Sequence, residues 1–474
     1  MTLIKSISGI RGTIGGKEAE TLTPVDIVKF TCAFARFLQE KNAARKTRIR
    51  LVVGRDGRIS GQMVDHLVQG SLMGMGVDVI SLELSTTPTV EMAVKAHKAQ
   101  GGIIITASHN PKEWNALKLL NEKGEFISAE EGRQVVETAG KGAFAFAPAD
   151  KLGQFLCYDD SDIERHIQAI LDLELVDVKA IKAAKLHVVV DGVNSTGAVV
   201  VPFLLERLGV KTVHAMNDES MGDFAHDPEP LPANLKSLAA KVKKDKAHMG
   251  IAVDPDVDRL AFVCQDGSMF GEEYTLVAAA DYVLRHKKGA VVSNLSSSRA
   301  LRDVAESHGC KYVAAPVGEV NVVEKMKKVK AVIGGEGNGG VIYPELHYGR
   351  DALVGIALVL SAFARKLKEN KAFTMTGYRD SFPAYAISKN RVALSGKVNA
   401  DKVLAQVKKR HSKEKTNEED GIRIDFEKTK EWVQLRKSNT EPIIRVYAES
   451  VSARKADALA KRFVEEVKAA MAGK

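Results

Sequence analysis

Three carboxylates at alternate positions, Asp254-Pro-Asp256-Val-Asp258, follow the apolar run Gly250-Ile-Ala-Val253 and precede Arg259. Carboxylates that converge without a cation repel one another. A strand that aims them from one loop therefore points to a hard divalent ion with oxygen ligands. Mg2+ fits best, because it keeps coordination positions for water or phosphate. An EF-hand is excluded, since Arg259 stands where that loop needs Gly and Gln265 where it needs Glu. The competing reading is a solvated acidic turn. A second candidate is Ser108, delivered with His109 by the apolar run Ile103–Ile105 onto a turn closed by Pro111. A serine at a strand end between small neighbours is open to a large substrate, and Lys118 follows closely enough to reach it. No GxSxG elbow surrounds it, so a serine-hydrolase reading fails; an ordinary Ser-His-Asn turn stays open.

Two further loops offer binding groups. Gly334-Gly-Glu336-Gly-Asn338-Gly-Gly340 is expected as a glycine-rich loop after a strand Ala331–Ile333. Glycine admits close backbone approach, and Glu336 and Asn338 can hydrogen-bond vicinal hydroxyls. No Gly-Lys-Ser/Thr follows, so it is not a Walker loop. Arg436-Lys-Ser438-Asn439-Thr440-Glu-Pro442 gathers a guanidinium, two hydroxyls and an amide, a donor set suited to a phosphate dianion. A hairpin turn satisfied by its own side chains is the alternative.

The elements that must position these loops repeat. Leu51–Gly57, Val188–Gly197 and Val291–Ser298 each read as an apolar strand running into a polar turn, then a helix closed by Gly, then another strand. Strands linked through helices predict at least partly parallel α/β sheets. After Lys371 the pattern changes: Tyr385–Leu394, Ile422–Phe426, Trp432–Leu435 and Ile443–Ala448 read as strands without long helices between most of them, and helical periodicity returns over Ala453–Met471. The expected fold class is α/β, three tandem mixed α/β domains over 1–150, 151–257 and 258–370, followed by an α+β domain over 371–474.

Composition sets the outer limits. The chain has 474 residues, 45% hydrophobic and 27% charged, which suits a globular protein of several domains. Its net charge of +9 permits anionic ligands without selecting them. The basic runs Lys241–Lys246 and Lys408–Lys415 include Asp245 and Glu414 and read as solvated helix surface. No nucleic-acid motif with interleaved aromatics is present, so no nucleic-acid partner is expected. Cys32, Cys157, Cys264 and Cys310 form no CxxC or zinc pattern. Without an apolar leader, and with Ala352–Ala364 too short to span a bilayer, a cytoplasmic protein without membrane association is expected.

Taken in order, the four loops resemble those of the α-D-phosphohexomutase family: phosphoglucomutases, phosphomannomutases and phosphoglucosamine mutases. Thr106–Pro111 is similar to its phosphoserine loop, Asp254–Arg259 to its metal loop, Gly335–Gly340 to its sugar-recognition loop and Arg436–Pro442 to its phosphate loop; Ser8–Gly12 matches too. The resemblance implies four domains around a central cleft, one loop from each. It implies that Ser108 carries the phosphoryl group and, with Asp254, Asp256 and Asp258, holds Mg2+. Arg11 and Arg259 would neutralise the transferring phosphate, with Lys118 and His109 in acid/base or positioning roles. Arg436, Ser438, Asn439 and Thr440 would grip the idle phosphate, and Glu336 and Asn338 the sugar.

The implied reaction interconverts hexose 6-phosphate and hexose 1-phosphate, through phosphoserine and a hexose 1,6-bisphosphate that turns end for end. Two departures stand out. Asn338 and Gly340 replace the family's common Ser and His, a form similar to archaeal-type phosphoglucosamine or bifunctional mutases, and Ala116 replaces the usual Gly before the lysine. The small-molecule partner stays open among glucosamine, mannose and glucose phosphates. Two other functions compete: a haloacid-dehalogenase-like phosphatase with Asp254 as nucleophile, and a sugar-phosphate-binding protein without turnover.

Overall fold

The computed structural model describes residues 2–6, 9–45, 47–157, 161–394, 398–438 and 442–472. Two compact units emerge, one of residues 1–275 and 339–376, the other of 276–338 and 377–474.

The first unit holds two sheets. In the larger, the strands Gly101–Ile105, Arg50–Arg55, Asp78–Leu84 and Phe155–Cys157 run parallel. Trp114–Leu120, Gly9–Thr13 and Ile4–Ser6 extend the other edge antiparallel. The mixed character is forced by local connections. Only a short turn joins Gly101–Ile105 to Trp114–Leu120, too short for the crossover a parallel neighbour requires. That turn is the serine loop. The sheet packs on the helix Pro24–Lys41, whose Phe30, Phe34 and Leu38 are buried, and which starts with a Thr23/Asp26 capping box and a proline in its first turn. The smaller sheet pairs His187–Asp191 in parallel with Thr212–Met216 and with Met249–Val253, and turns back antiparallel into Leu260–Cys264. The hairpin between those last two strands is the aspartate loop, flanked by two fully buried strands.

In the second unit, Val291–Asn294 pairs in parallel with Tyr312–Ala315 and Ile333–Glu336. The C-terminal domain is a five-stranded antiparallel sheet, in the order Ala386–Ala393, Ile443–Ser450, Glu431–Lys437, Ile422–Phe426, Lys415–Asn417, with Ala453–Met471 packed across it.

The expected strand–turn–helix repeats are all present, and three details differ. The strand expected at Ala331–Ile333 lies at Ile333–Glu336, so Glu336 ends a strand instead of standing on a loop. One gap between the expected strands holds a helix, Ala400–Arg410, which the reading allowed for, and a strand, Lys415–Asn417, which it did not name. The basic run Lys408–Lys415 therefore crosses a helix end and a turn and is not helix surface throughout. Lys241–Lys246 ends the helix Lys236–Asp245, where Lys241 pairs with Asp245. Ala352–Glu369 is buried along nearly its whole length. No helix among the described residues is long and apolar enough to cross a membrane.

Candidate active site

The first unit brings Ser108 directly onto the aspartates. Ser108 Oγ donates to Asp254 Oδ2 at 2.7 Å and lies 3.3 Å from His109 Nδ1. Lys118, on the antiparallel strand beside the serine loop, reaches the same cluster: its Nζ is 2.7 Å from Asp256 Oδ2 and 3.5 Å from Asp258 Oδ2. All three aspartates are buried, as are Ser108 and Lys118. Both loops are held in uncommon backbone conformations. Ser108 has φ +50° and the β-branched Val257 φ +61°, a region that costs a non-glycine residue about 1–3 kcal/mol and persists only where the surroundings dictate it.

The surroundings can be named. Asp254 Oδ1 accepts the N–H groups of Asp258 and Arg259, at 3.0 and 2.9 Å, which folds the aspartate loop over its first residue. Arg58 braces the serine loop. Its guanidinium is wholly buried, donates from Nη1 to the carbonyls of Pro111 and Trp114, both at 2.8 Å, and from Nη2 to those of Ser108 and Asn110. Its Nε pairs with Asp56 at 3.1 Å. The other link to Asp56 runs through Thr106, whose Oγ1 donates to Asp56 Oδ2 at 2.6 Å and accepts the Ser108 N–H at 2.8 Å. One ion pair thus fixes both the position and the direction of the serine.

Electrostatics divide the site into two halves. Burial pushes the Asp254 carboxyl well above its ordinary range, and the Asp258 and Asp256 charges push the same way. Burial alone would raise Asp256 as well, but the Lys118 ammonium reverses this and holds it below the usual carboxylate range. Lys118 is pulled down by desolvation and up by Asp256 and Asp258; the carboxylates win, and it stays charged. On the other side His109 is driven well down, first by burial and then by Arg259, Arg11 and Arg350. It is neutral, in a pocket whose three guanidinium groups favour an anion. Arg11 Nη1 also donates to Asn110 Oδ1 at 3.4 Å, Arg259 Nη1 meets Glu229 Oε1 at 3.0 Å, and Arg350 Nη2 donates to Asp258 Oδ2 at 2.7 Å.

The donors fit a hard cation. Asp256 Oδ1 and Asp258 Oδ1 are buried without a hydrogen-bond partner, the condition expected of oxygens reserved for a metal, since an orphaned buried acceptor costs about 1–3 kcal/mol. The carboxylates of Asp254, Asp256 and Asp258 each offer an oxygen within 4.8 Å of the others.

The remaining candidates belong to the second unit. Glu336 is buried and accepts from Asn294 Nδ2 at 2.7 Å and from the Gly318 N–H at 3.1 Å. The Gly337 N–H is held by Ser297 Oγ at 3.0 Å, next to Asn338. Arg436 Nη1 lies 3.6 Å from Asp420 Oδ2, which accepts the Val317 N–H at 3.1 Å. The polypeptide at Val317–Gly318 therefore links the glycine-rich turn to the start of the phosphate loop. Ser438 follows Arg436; Asn439 and Thr440 lie outside the described residues. Sequence reasoning missed Arg58, Asp56, Arg350, Asn294 and Asp420. The first two stand in Gly54-Arg-Asp-Gly-Arg, a polar turn after a strand, the one signal that could have flagged them.

Comparison with known proteins agrees along the whole chain. Four family models match in order: phosphoglucomutase/phosphomannomutase alpha/beta/alpha domain I over residues 3–145, domain II over 164–267, domain III over 271–377, and the C-terminal domain over 391–466. A phosphoglucomutase/phosphomannomutase of Thermococcus kodakarensis is 35% identical, over 94% of this chain and 95% of its own. A phosphoglucosamine/phosphogalactosamine mutase of Sulfurisphaera tokodaii is 30% identical over 98% of both chains. Among solved structures, a putative phosphomannomutase from Thermus thermophilus superposes with TM-score 0.78 at 26% identity, covering 98% of this chain and 99% of that one. A phosphoglucomutase/phosphomannomutase family protein from Burkholderia thailandensis shares the fold, with TM-score 0.83 at 23% identity, covering 99% of this chain and 98% of the other. None of these matches supports the phosphatase reading of Asp254. With a serine hydroxyl on an aspartate trio, a guanidinium-lined flank and all four domains matched in sequence, the chain belongs to the phosphoglucomutase/phosphomannomutase family of α-D-phosphohexomutases.

Proposed function

We propose that the chain is a phosphohexomutase that moves a phosphoryl group between C6 and C1 of a hexose through Ser108, with glucosamine, mannose and glucose phosphates as its substrate class. The observation that carries the residue assignment is the 2.7 Å contact from Ser108 Oγ to Asp254 Oδ2. It sets the only serine of the loop against the first of three clustered carboxylates, which Arg259 and Arg350 also reach. Phosphoryl transfer demands position and charge neutralisation more than covalent chemistry. Asp254, Asp256 and Asp258, with an oxygen of phosphorylated Ser108, would hold Mg2+, which supplies positive charge against the phosphoryl oxygens when bound.

The rest falls to the side chains. Arg11, Arg259 and Arg350 offset the charge of the incoming phosphate. Neutral His109 orients the Ser108 hydroxyl. Lys118, kept charged by Asp256 and Asp258, steadies the aspartate loop. As the sugar oxygen bonds to phosphorus and the bond from phosphorus to Ser108 Oγ breaks, the sugar hydroxyl's proton passes to Ser108 Oγ, with neutral His109 within reach of that oxygen as relay. Glu336 and Asn338 offer hydrogen bonds suited to sugar hydroxyls, and Arg436, Ser438, Asn439 and Thr440 are a donor set suited to a phosphate. The reading places the enzyme in the cytoplasm.

The test compares glucosamine, mannose and glucose 1-phosphates as substrates, primed with hexose 1,6-bisphosphate in excess Mg2+, for wild type and Ser108→Ala. Isomerisation of at least one sugar by wild type and none by the variant is expected. Release of free phosphate without isomerisation would overturn the reading.

A further inference from the structure

We propose that His166, His347 and Asp351 form a transition-metal site of the zinc class inside the first unit, distinct from the aspartate loop. Two imidazoles from separate segments direct Nε2 at the same carboxylate oxygen: Asp351 Oδ2 lies 2.9 Å from His166 Nε2 and 3.2 Å from His347 Nε2. The three atoms lie within 4.8 Å of one another. Ligand atoms around a tetrahedral zinc with bonds of about 2.1 Å stand roughly 3.4 Å apart, so little movement would seat the ion. Two nitrogens and one oxygen are a donor set that zinc accepts and magnesium does not favour.

The outer contacts match those of a metal centre. Asp351 cannot swing away, because its other oxygen caps the helix Ala352–Glu369 by accepting the N–H groups of Leu353 and Val354 at 2.8 and 3.2 Å. His166 Nδ1 is 2.9 Å from Thr89 Oγ1, and His347 Nδ1 is 3.3 Å from Glu91 Oε2. Ligating histidines are fixed by such outer partners: here the second nitrogen of His166 faces a hydroxyl, and that of His347 lies within ion-pair distance of a carboxylate without a hydrogen bond between them. All five side chains are buried. Glu91 and Asp351 bring two negative charges inside the protein, which a divalent ion balances while both imidazoles stay neutral.

The site would also stiffen the reaction centre from behind. The helix Thr87–Ala96 that carries Thr89 and Glu91 begins with Thr87, whose N–H donates to Asp256 O at 2.9 Å and whose Oγ1 donates to Asp256 Oδ2 at 2.6 Å. Ala352 N–H donates to Val257 O at 3.1 Å, and Arg350 reaches Asp258.

The test is metal analysis of the full chain, equilibrated with zinc and then dialysed against zinc-free buffer containing Mg2+. About one zinc per chain is expected to remain, to persist in Asp256→Asn and to fall more than tenfold in His166→Gln and His347→Gln. Wild type retaining under a tenth of an equivalent would overturn the proposal, as would zinc that survives both histidine substitutions. Should those variants not fold, cobalt bound to wild type decides: an intense visible spectrum of four-coordinate, nitrogen-ligated cobalt supports the site. The weak spectrum of six-coordinate, oxygen-ligated cobalt contradicts it and leaves a proton-linked histidine–carboxylate cluster.

Discussion

Arg58 has no atom on the reacting groups, yet it decides where Ser108 points. Its guanidinium satisfies four backbone carbonyls of the serine loop and one carboxylate, an arrangement that needs the planar fork. Lysine keeps the charge and loses the fork. Arg58→Lys should therefore lower kcat by about a hundredfold through misplacement of the nucleophile and destabilise the chain by about 3–5 kcal/mol through buried groups left unpaired. Steady-state kinetics and urea unfolding check this; an unchanged kcat would remove the bracing role. Lys118→Met, by contrast, leaves Asp256 and Asp258 without their ammonium. It should cut kcat by about a hundredfold or more, and its metal-free form should be the less stable one, with excess Mg2+ restoring part of the loss in thermal melts. The serine, the aspartates and Lys118 could be singled out in the sequence because apolar strands deliver or flank them, and the structure brings them together. Arg58 could not, because its partners are carbonyls fifty residues away along the chain, and backbone acceptors leave no mark on side-chain identity.

At the scale of elements, the site depends on how turns from successive strand–helix repeats hold one another. Ser195, in the turn after His187–Asp191, accepts the Gly57 N–H at 3.0 Å and donates to the Pro255 carbonyl at 2.8 Å. It ties the Arg58 turn to the aspartate loop. Ser195→Ala strands two buried polar groups and should cost about 2–4 kcal/mol. Its functional effect should be a Mg2+ requirement raised several-fold with the sugar-phosphate KM little changed, read from activity against metal concentration; a shift in KM alone would argue against the link. The repeats themselves were legible, since apolar runs, polar turns and closing glycines recur at helical and strand spacing. What was not legible has local causes. In Ile333–Glu336 two glycines extend a strand that propensity would have ended, and Glu336 is held at its end by Asn294. The helix Ala400–Arg410 buries only Val403, Leu404 and Val407 beneath a lysine-rich face, so its periodicity is faint.

Over the molecule as a whole, each compact unit carries its own polar joint. In the second, Glu449 is wholly buried and accepts from the Arg299 N–H at 2.8 Å and from Trp432 Nε1 at 2.5 Å, so it connects the parallel sheet's first helix with the C-terminal sheet. Burial lifts its carboxyl to about 7, against hydrogen bonds and the Arg423 charge that pull it down. An unfolded glutamate titrates near 4.5, so between these values the unfolded chain is ionised while the folded one keeps its proton. The stability this group contributes is complete below pH 4.5 and disappears as pH rises through about 7, a loss of roughly 3 kcal/mol. Glu449→Gln should flatten that part of the pH–stability curve in urea unfolding; an unaltered slope would assign it elsewhere. The central claim, that one serine ester is made and spent in every turnover, is tested most directly by peptide mapping after labelling with hexose 1,6-bisphosphate carrying isotopic phosphate. The account predicts a single labelled phosphoryl group on Ser108 that is chased into bisphosphate by unlabelled hexose 1-phosphate. Label on Asp254, or full turnover with Ser108 never labelled, would contradict it.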